Sequence, residues 1–136
     1  MIRMYWYERC GTCRAAKRWL DARGVDVELV DITHTPPPRL VFEAALASGY
    51  RLAELLNRSG ELYRAMRLKD KLPHLSSGDV VGLLTRHGKL VKRPVLTDGM
   101  RVTVGFNETR FHTTWRAPRA TRRPPAAARP PATARR

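Results

Sequence analysis

Both cysteines of this 136-residue chain fall in one short stretch, Cys10-Gly11-Thr12-Cys13. Two thiols at this spacing can do thiol–disulfide exchange. The thiolate is the reactive form, and the first turn of a helix favours it with unpaired N–H groups and a partial positive charge. A second thiol one turn along can then attack the mixed disulfide that the first has formed. Cys10 precedes the helix-prone run and is expected nearer the surface, so it is the candidate nucleophile. Arg9, Arg14 and Lys17 stand close in sequence and would lower its pKa. Cys13 is the candidate resolving thiol. The competing use of such a pair is a structural zinc site, which takes four ligands. The histidines at 34, 74, 87 and 112 form no H-x₃₋₅-H pair, so exchange is the favoured chemistry.

The surrounding pattern supplies elements to hold these thiols. Ile2 to Tyr7 is an aromatic and aliphatic run expected to be a strand. Thr12 to Arg23 is expected to be a helix, with Ala15, Ala16, Trp19 and Leu20 on one face and Gly24 at its end. Val25, Val27 and Leu29 alternate with Asp26 and Glu28, predicting a second strand. The two strands should be parallel with a right-handed crossover. Thr35 and Pro36-Pro37-Pro38 mark a loop before a helix over Leu40–Ala47 that stops near Gly49. Short helical pieces are expected over Leu52–Asn57 and Glu61–Met66. A capping pair, Ser76 with Asp79, opens a helix to about Arg86. Val95–Thr97 and Arg101–Val104 flank Asp98-Gly99-Met100 as a hairpin with a turn of two or three residues, and a last helix runs from about Asn107 or Glu108 to Trp115.

That order predicts an α/β, thioredoxin-like (glutaredoxin-like) fold. It has a mixed sheet of about four strands and a helical insertion between the second and third strands. In such a layout the loop before the third strand passes close to the reactive thiol. Lys92-Arg93-Pro94 occupies that loop. Read alone it is an ordinary basic loop. Placed there, Pro94 becomes a candidate cis-proline, because X–Pro bonds are the ones that adopt cis, and Arg93 a candidate partner for a thiolate or bound anion.

The net charge is +14, and residues 116–136 carry seven arginines and no acidic residue, leaving +7 on residues 1–115. Residues 1–115 are expected to form the domain and 116–136 a disordered Arg/Pro/Ala-rich tail. The tail is either a solvated extension or an arm giving weak, salt-dependent contact with nucleic acid. Met1 to Tyr7 leads into charged residues without a long apolar stretch, so no signal peptide is expected. No apolar run approaches the roughly 18 residues of a membrane span. A cytoplasmic protein with reducible thiols and no membrane association is the expectation. No Gly-rich phosphate loop, serine nucleophile elbow or paired-carboxylate signature is present.

Five pieces in order carry a family resemblance. They are Cys10-Gly11-Thr12-Cys13-Arg14; Asn57-Arg58-Ser59-Gly60 with Tyr63-Arg64; Leu68-Lys69-Asp70-Lys71-Leu72; Lys89-Leu90-Val91-Lys92-Arg93-Pro94-Val95; and Val104-Gly105-Phe106-Asn107-Glu108. Across residues 1–115 the chain resembles the arsenate reductase family of thioredoxin-like proteins, including the Spx/MgsR-type regulators. The resemblance implies a redox-active Cys10. In the glutaredoxin-coupled arsenate reductases one cysteine and three arginines surround the oxyanion. Cys10 matches the cysteine and Arg93 one arginine. Asn57 stands at the first arginine's position, with Arg58 next to it, and Gly105 at the third. Efficient arsenate reduction is therefore not expected, since an oxyanion needs converging charged donors. Arg14 and Arg58 are retained as candidate anion contacts. The Cys10–Cys13 pair matches the two-thiol switch of Spx-type regulators, whose partner is the RNA polymerase α subunit.

Two functions follow from the resemblance. One is a thiol–disulfide oxidoreductase with Cys10 as nucleophile, Cys13 resolving and Arg93 stabilising the anionic sulfur. It binds no cofactor and is reduced by a thiol donor: glutathione, glutaredoxin or thioredoxin. The other is an Spx-like redox-sensing regulator of RNA polymerase. A binding module acting through its basic surface alone is a third and weaker reading.

Overall fold

The structure, a computed structural model, describes residues 1–116. The predicted tail over 116–136 lies outside the described residues apart from Arg116. Four strands form one mixed sheet in the order β2-β1-β3-β4, namely β1 (Ile2–Trp6), β2 (Val27–Asp31), β3 (Val95–Thr97) and β4 (Val102–Val104). β1 is parallel to β2, with Met4 opposite Leu29, and antiparallel to β3, with Met4 opposite Leu96. β4 returns antiparallel to β3, with Leu96 opposite Thr103.

Alternation along the strands gives the sheet two apolar faces. On one face Met4 and Leu96 meet α1 (Gly11–Ala22) and α6 (Glu108–Trp115), burying Ala16, Trp19, Leu20, Phe111 and Trp115. On the other, Tyr5, Val95 and Val102 meet the insertion, burying Phe42, Tyr63, Leu68, Val80 and Leu84. The insertion contains α2 (Arg39–Ala47), α3 (Glu61–Ala65), α4 (Leu68–Lys71) and α5 (Ser77–Arg86), with 3-10 turns at Leu52–Leu55, Leu72–His74 and Gly88–Leu90. The result is a three-layer α/β/α arrangement of the thioredoxin type.

α1 follows its pattern closely. Cys13, Ala16, Trp19 and Leu20 are buried on one side, with Arg14 and Arg18 exposed opposite. Gly24 takes φ +70°, so the Val25 N–H reaches back to the Leu20 carbonyl at 3.0 Å and the Gly24 N–H to Asp21 at 3.1 Å. This is a Schellman closure, which favours glycine at that position. At the start of α5, Ser76 and Asp79 form the reciprocal cap, at 3.0 and 3.1 Å.

Several boundaries differ from expectation, each for a local reason. β1 stops at Trp6, because Tyr7 turns to start the thiol loop. Val25 is not in β2 but serves the α1 closure, so the strand begins at Val27. β2 is an edge strand, and Leu29, expected among its apolar positions, is 41% exposed. The hairpin loop has four residues rather than two or three: Asp98 caps it by accepting the Met100 and Arg101 backbone N–H groups at 2.9 and 2.7 Å. α4 was not expected; Arg67 at φ 55° breaks α3 from it and lets Leu68 turn into the core.

Candidate functional site

The site is assembled by the turn between β1 and α1. The Cys10 N–H donates to the Tyr7 carbonyl at 2.9 Å, and the Cys10 carbonyl accepts the Arg14 N–H at 3.0 Å. Cys10 is thus the N-cap of α1, with extended backbone (φ −85°, ψ 120°). Its half-buried thiol sits at the helix N-terminus, where backbone N–H groups lack intrahelical partners. Cys13, in the first turn, points inward and is fully buried. Its sulfur accepts the Tyr7 backbone N–H at 3.5 Å. Both thiols are free.

The two sulfurs are driven in opposite directions. Burial opposes ionisation of Cys10, yet the Cys13 backbone N–H, the Arg93 guanidinium and the Cys13 thiol together overcome it. The Cys10 pKa is held below the ordinary thiol value. Burial raises Cys13, and the Cys10 sulfur raises it further. The Tyr7 N–H and the Arg93 charge only partly oppose this, so the thiol is pushed up to about 12.

Arg93 comes from the loop entering β3. The Arg93–Pro94 peptide is cis, and Pro94 is buried. The guanidinium carbon lies 5.1 Å from the centre of the Tyr7 ring. Arg93 Nε is buried without a hydrogen-bond partner, the one such side-chain atom among the described residues. Beside the thiol turn opens a cleft of about 400 Å³, lined by Tyr7, Thr33, Asn57, Ser59, Lys89 and Arg93 among others. Asn57 is brought there by short antiparallel pairing of Leu55–Asn57 with Leu90–Lys92. The Asn57 N–H donates to Leu90 O at 2.7 Å, and the Lys92 N–H to Leu55 O at 2.8 Å.

Of the residues singled out in the sequence, Cys10, Cys13, Arg93 and Pro94 come together. Arg14 is exposed and donates instead to the Glu8 carbonyl at 3.0 Å. Arg58 is not brought to the thiols. It borders a second cleft of about 410 Å³, with Tyr50, Glu54 and Lys92. Gly105 adopts φ +78°, and a Cβ there would stand 3.3 Å from Lys92 Cε. An arginine at 105 would therefore meet both backbone strain and a neighbour. Tyr7 and Lys89 were missed. Tyr7 could have been flagged as the residue that must turn from strand to thiol loop. Lys89 carried no signal until the Leu56–Val91 pairing placed it.

A four-stranded mixed sheet between helical layers, with a Cys-x-x-Cys opening the first helix and an Arg-Pro loop beside it, defines a thioredoxin-like thiol protein. Residues 5–114 match the ArsC family, and the chain belongs to that family. It is 43% identical over 115 residues to the uncharacterized protein YusI of Bacillus subtilis (strain 168), covering 84% of this chain and 98% of YusI. A solved structure described as a possible arsenate reductase from Streptococcus mutans UA159 superposes with a TM-score of 0.73 at 38% identity, covering 79% of this chain and 92% of that one. The global transcriptional regulator Spx of Streptococcus pyogenes serotype M3 (strain ATCC BAA-595 / MGAS315) is 26% identical over 109 residues, covering 79% of this chain and 80% of Spx. The chain is accordingly a thiol redox protein or regulator of the ArsC and Spx type. Among the described residues no helix is long and apolar enough to cross a membrane.

Proposed function

We propose that this protein is a cytoplasmic thiol–disulfide exchange protein in which Cys10 attacks and Cys13 resolves. One observation carries the reading: a half-exposed Cys10 caps α1 beside Arg93, while Cys13 is buried directly behind it. The Cys10 thiolate attacks one sulfur of a substrate disulfide, forming a mixed disulfide and releasing the other sulfur as a thiolate. The Cys13 thiol then gives up its proton and attacks Cys10 Sγ, so the substrate leaves as its second thiol and Cys10–Cys13 closes. Two electrons have passed from the protein to the substrate. A thiol donor, such as glutathione, glutaredoxin or thioredoxin, returns them. Cys13 is ready only at the right moment: its negative neighbour disappears once Cys10 is in the mixed disulfide, removing one cause of its raised pKa.

Efficient arsenate reduction is not part of this proposal. Asn57 and Gly105 replace two cations with an amide and a backbone turn, leaving Arg93 as the matched guanidinium. The test is capture by Cys13→Ala. Incubated with a small disulfide, then with oxidised cell extract, this variant should retain a mixed disulfide at Cys10 by mass spectrometry, and wild type should not. In wild type Cys10 should alkylate faster than Cys13 near pH 7. Absence of any adduct, or faster Cys13 alkylation, overturns the assignment.

The likeness to Spx favours a second reading, in which the same switch regulates transcription by binding the RNA polymerase α subunit. Turnover of a model disulfide dependent on Cys10 supports exchange. Capture of the α subunit only by the oxidised protein, without turnover, supports the regulator. In either case the seven arginines of 116–136 are proposed to add weak nucleic-acid retention, which deletion of that segment should abolish at low salt.

A further inference from the structure

Tyr7 meets the thiol site in two ways that its place at the end of a strand does not require. Its backbone N–H donates to the buried Cys13 sulfur at 3.5 Å. Its half-buried ring lies under the guanidinium carbon of Arg93 at 5.1 Å, within the range of a cation–π contact. Arg93 needs such a contact. A buried guanidinium nitrogen normally finds an acceptor, and the Nε of Arg93 has none. A long, flexible side chain without its usual tether on the inner nitrogen is instead bounded by an aromatic face.

We propose that Tyr7 is a positioning residue for thiol exchange, its ring holding the Arg93 guanidinium against the Cys10 sulfur while its backbone N–H anchors Cys13 behind it. This rests on the exchange reading above and adds a residue to it. The charged side chains around the sulfur come from several elements. Arg93 enters from the loop before β3; Arg9 and Arg14 flank Cys10 along the chain; Lys89 and Glu61 face it across the cleft. Arg14 is turned to the Glu8 carbonyl. Arg93 is the cation that bears on Cys10, so whatever fixes Arg93 sets how strongly the thiolate is favoured. The Tyr7 hydroxyl is not required by this account; the ring face is.

That distinction makes the test. The pH midpoint of Cys10 alkylation by iodoacetamide is measured in the full-length protein for wild type, Tyr7→Phe, Tyr7→Leu, Arg93→Leu and the Tyr7→Leu/Arg93→Leu double variant. Tyr7→Phe keeps the ring and should keep the wild-type midpoint. Tyr7→Leu keeps an apolar side chain without the π face. It should raise the midpoint by roughly half a pH unit, about a threefold loss of thiolate at a fixed pH below the midpoint. In the Arg93→Leu background the Tyr7 substitution should have no further effect, because the group it positions is gone. A Tyr7→Leu midpoint equal to wild type overturns the inference. So does a rise in Tyr7→Phe matching that in Tyr7→Leu, or a Tyr7→Leu shift that persists without Arg93. Thermal melts of each variant separate a fold defect from a shifted midpoint, and Tyr7→Phe keeps the question answerable if Tyr7→Leu unfolds. Failure of the exchange reading itself looks different: wild-type Cys10 would then react no faster than Cys13, whatever stands at position 7.

Discussion

Replacing Arg93 by leucine tests how the site makes a nucleophile. The guanidinium acts on Cys10 as both a donor and a charge. An opposite charge close to a titrating group lowers an acid's pKa by about 1–3 units, and Cys10 is only half-buried, so the low end, about 1 unit, is expected. Arg93→Leu should therefore raise the Cys10 midpoint by about 1 unit. Below the midpoint this cuts the thiolate roughly tenfold. A thiolate of higher pKa is intrinsically more nucleophilic, with a Brønsted slope of about 0.4–0.5, which returns roughly threefold. The net expectation is a three- to fourfold slower reaction with a small neutral disulfide at low pH and a roughly threefold faster one above both midpoints. The two pH–rate curves must cross. The fold should survive, because the substitution removes a buried nitrogen that has no partner rather than breaking a bond. Stopped-flow reaction of reduced protein with 4,4′-dithiodipyridine from pH 5 to 10 reads the curves. Equal midpoints, or a uniform loss at every pH without a crossing, would refute the account of Arg93 as the group that favours the thiolate.

Cys13 is held at about 12 against an ordinary value of 9.0, and it is fully buried. Its folded-state pKa is the higher one, so the stabilisation it carries is complete below about pH 9 and is lost as pH rises toward 12. Between pH 9 and 10 wild type should lose roughly 1 kcal/mol relative to Cys13→Ala, read by urea denaturation at both pH values. Rebuilding a three-arginine site should fail at one position and not the other: Asn57→Arg enters an open cleft, whereas Gly105→Arg must adopt φ +78° at a cost of about 1–2 kcal/mol and displace Lys92. Denaturation midpoints of the two variants test this, and equal stabilities would contradict it. Thr103→Val should cost about 1–3 kcal/mol, because the buried Trp115 Nε1–H now donates to Thr103 Oγ1 at 2.8 Å and would be left without an acceptor; calorimetry reads the loss.

What was legible in the sequence was whatever depends on near neighbours. The α1 stripe, its glycine closure and the Ser76–Asp79 cap are set by spacings of three to five residues, and each stands where the pattern put it. β2 shows how that reading slips. Alternation said which residues share a face, but not that the strand lies at a sheet edge or that Val25 would be spent closing the helix before it. Position 58 makes the same point for the site. Beside an expected anion-binding position an arginine reads as a substitute donor. Pairing of Leu55–Asn57 with Leu90–Lys92 instead presents Asn57 to the thiol cleft, and Arg58 borders the cleft that also holds Tyr50. A one-residue offset in such a ladder sends the next side chain elsewhere. Tyr7 was invisible for a related reason, since its partners Cys13 and Arg93 lie 6 and 86 positions away and are gathered only by the fold.

The charge left around Cys10 says what the site is suited to hold. An oxyanion bearing two negative charges needs several converging cations, because desolvating it is expensive. The cleft offers a half-buried guanidinium stacked on an aromatic ring, an amide at 57 and Lys89, which is exposed at the rim. That is ample for a single thiolate, which carries one diffuse charge and already receives the Cys13 backbone N–H. Cys13 supplies the complementary feature: a second sulfur kept protonated by burial until the first has reacted. A site that exchanges charge-binding capacity for a resolving thiol is built to make and break sulfur–sulfur bonds. The same construction serves turnover or switching, and how fast a donor reopens Cys10–Cys13 determines which of the two the protein performs.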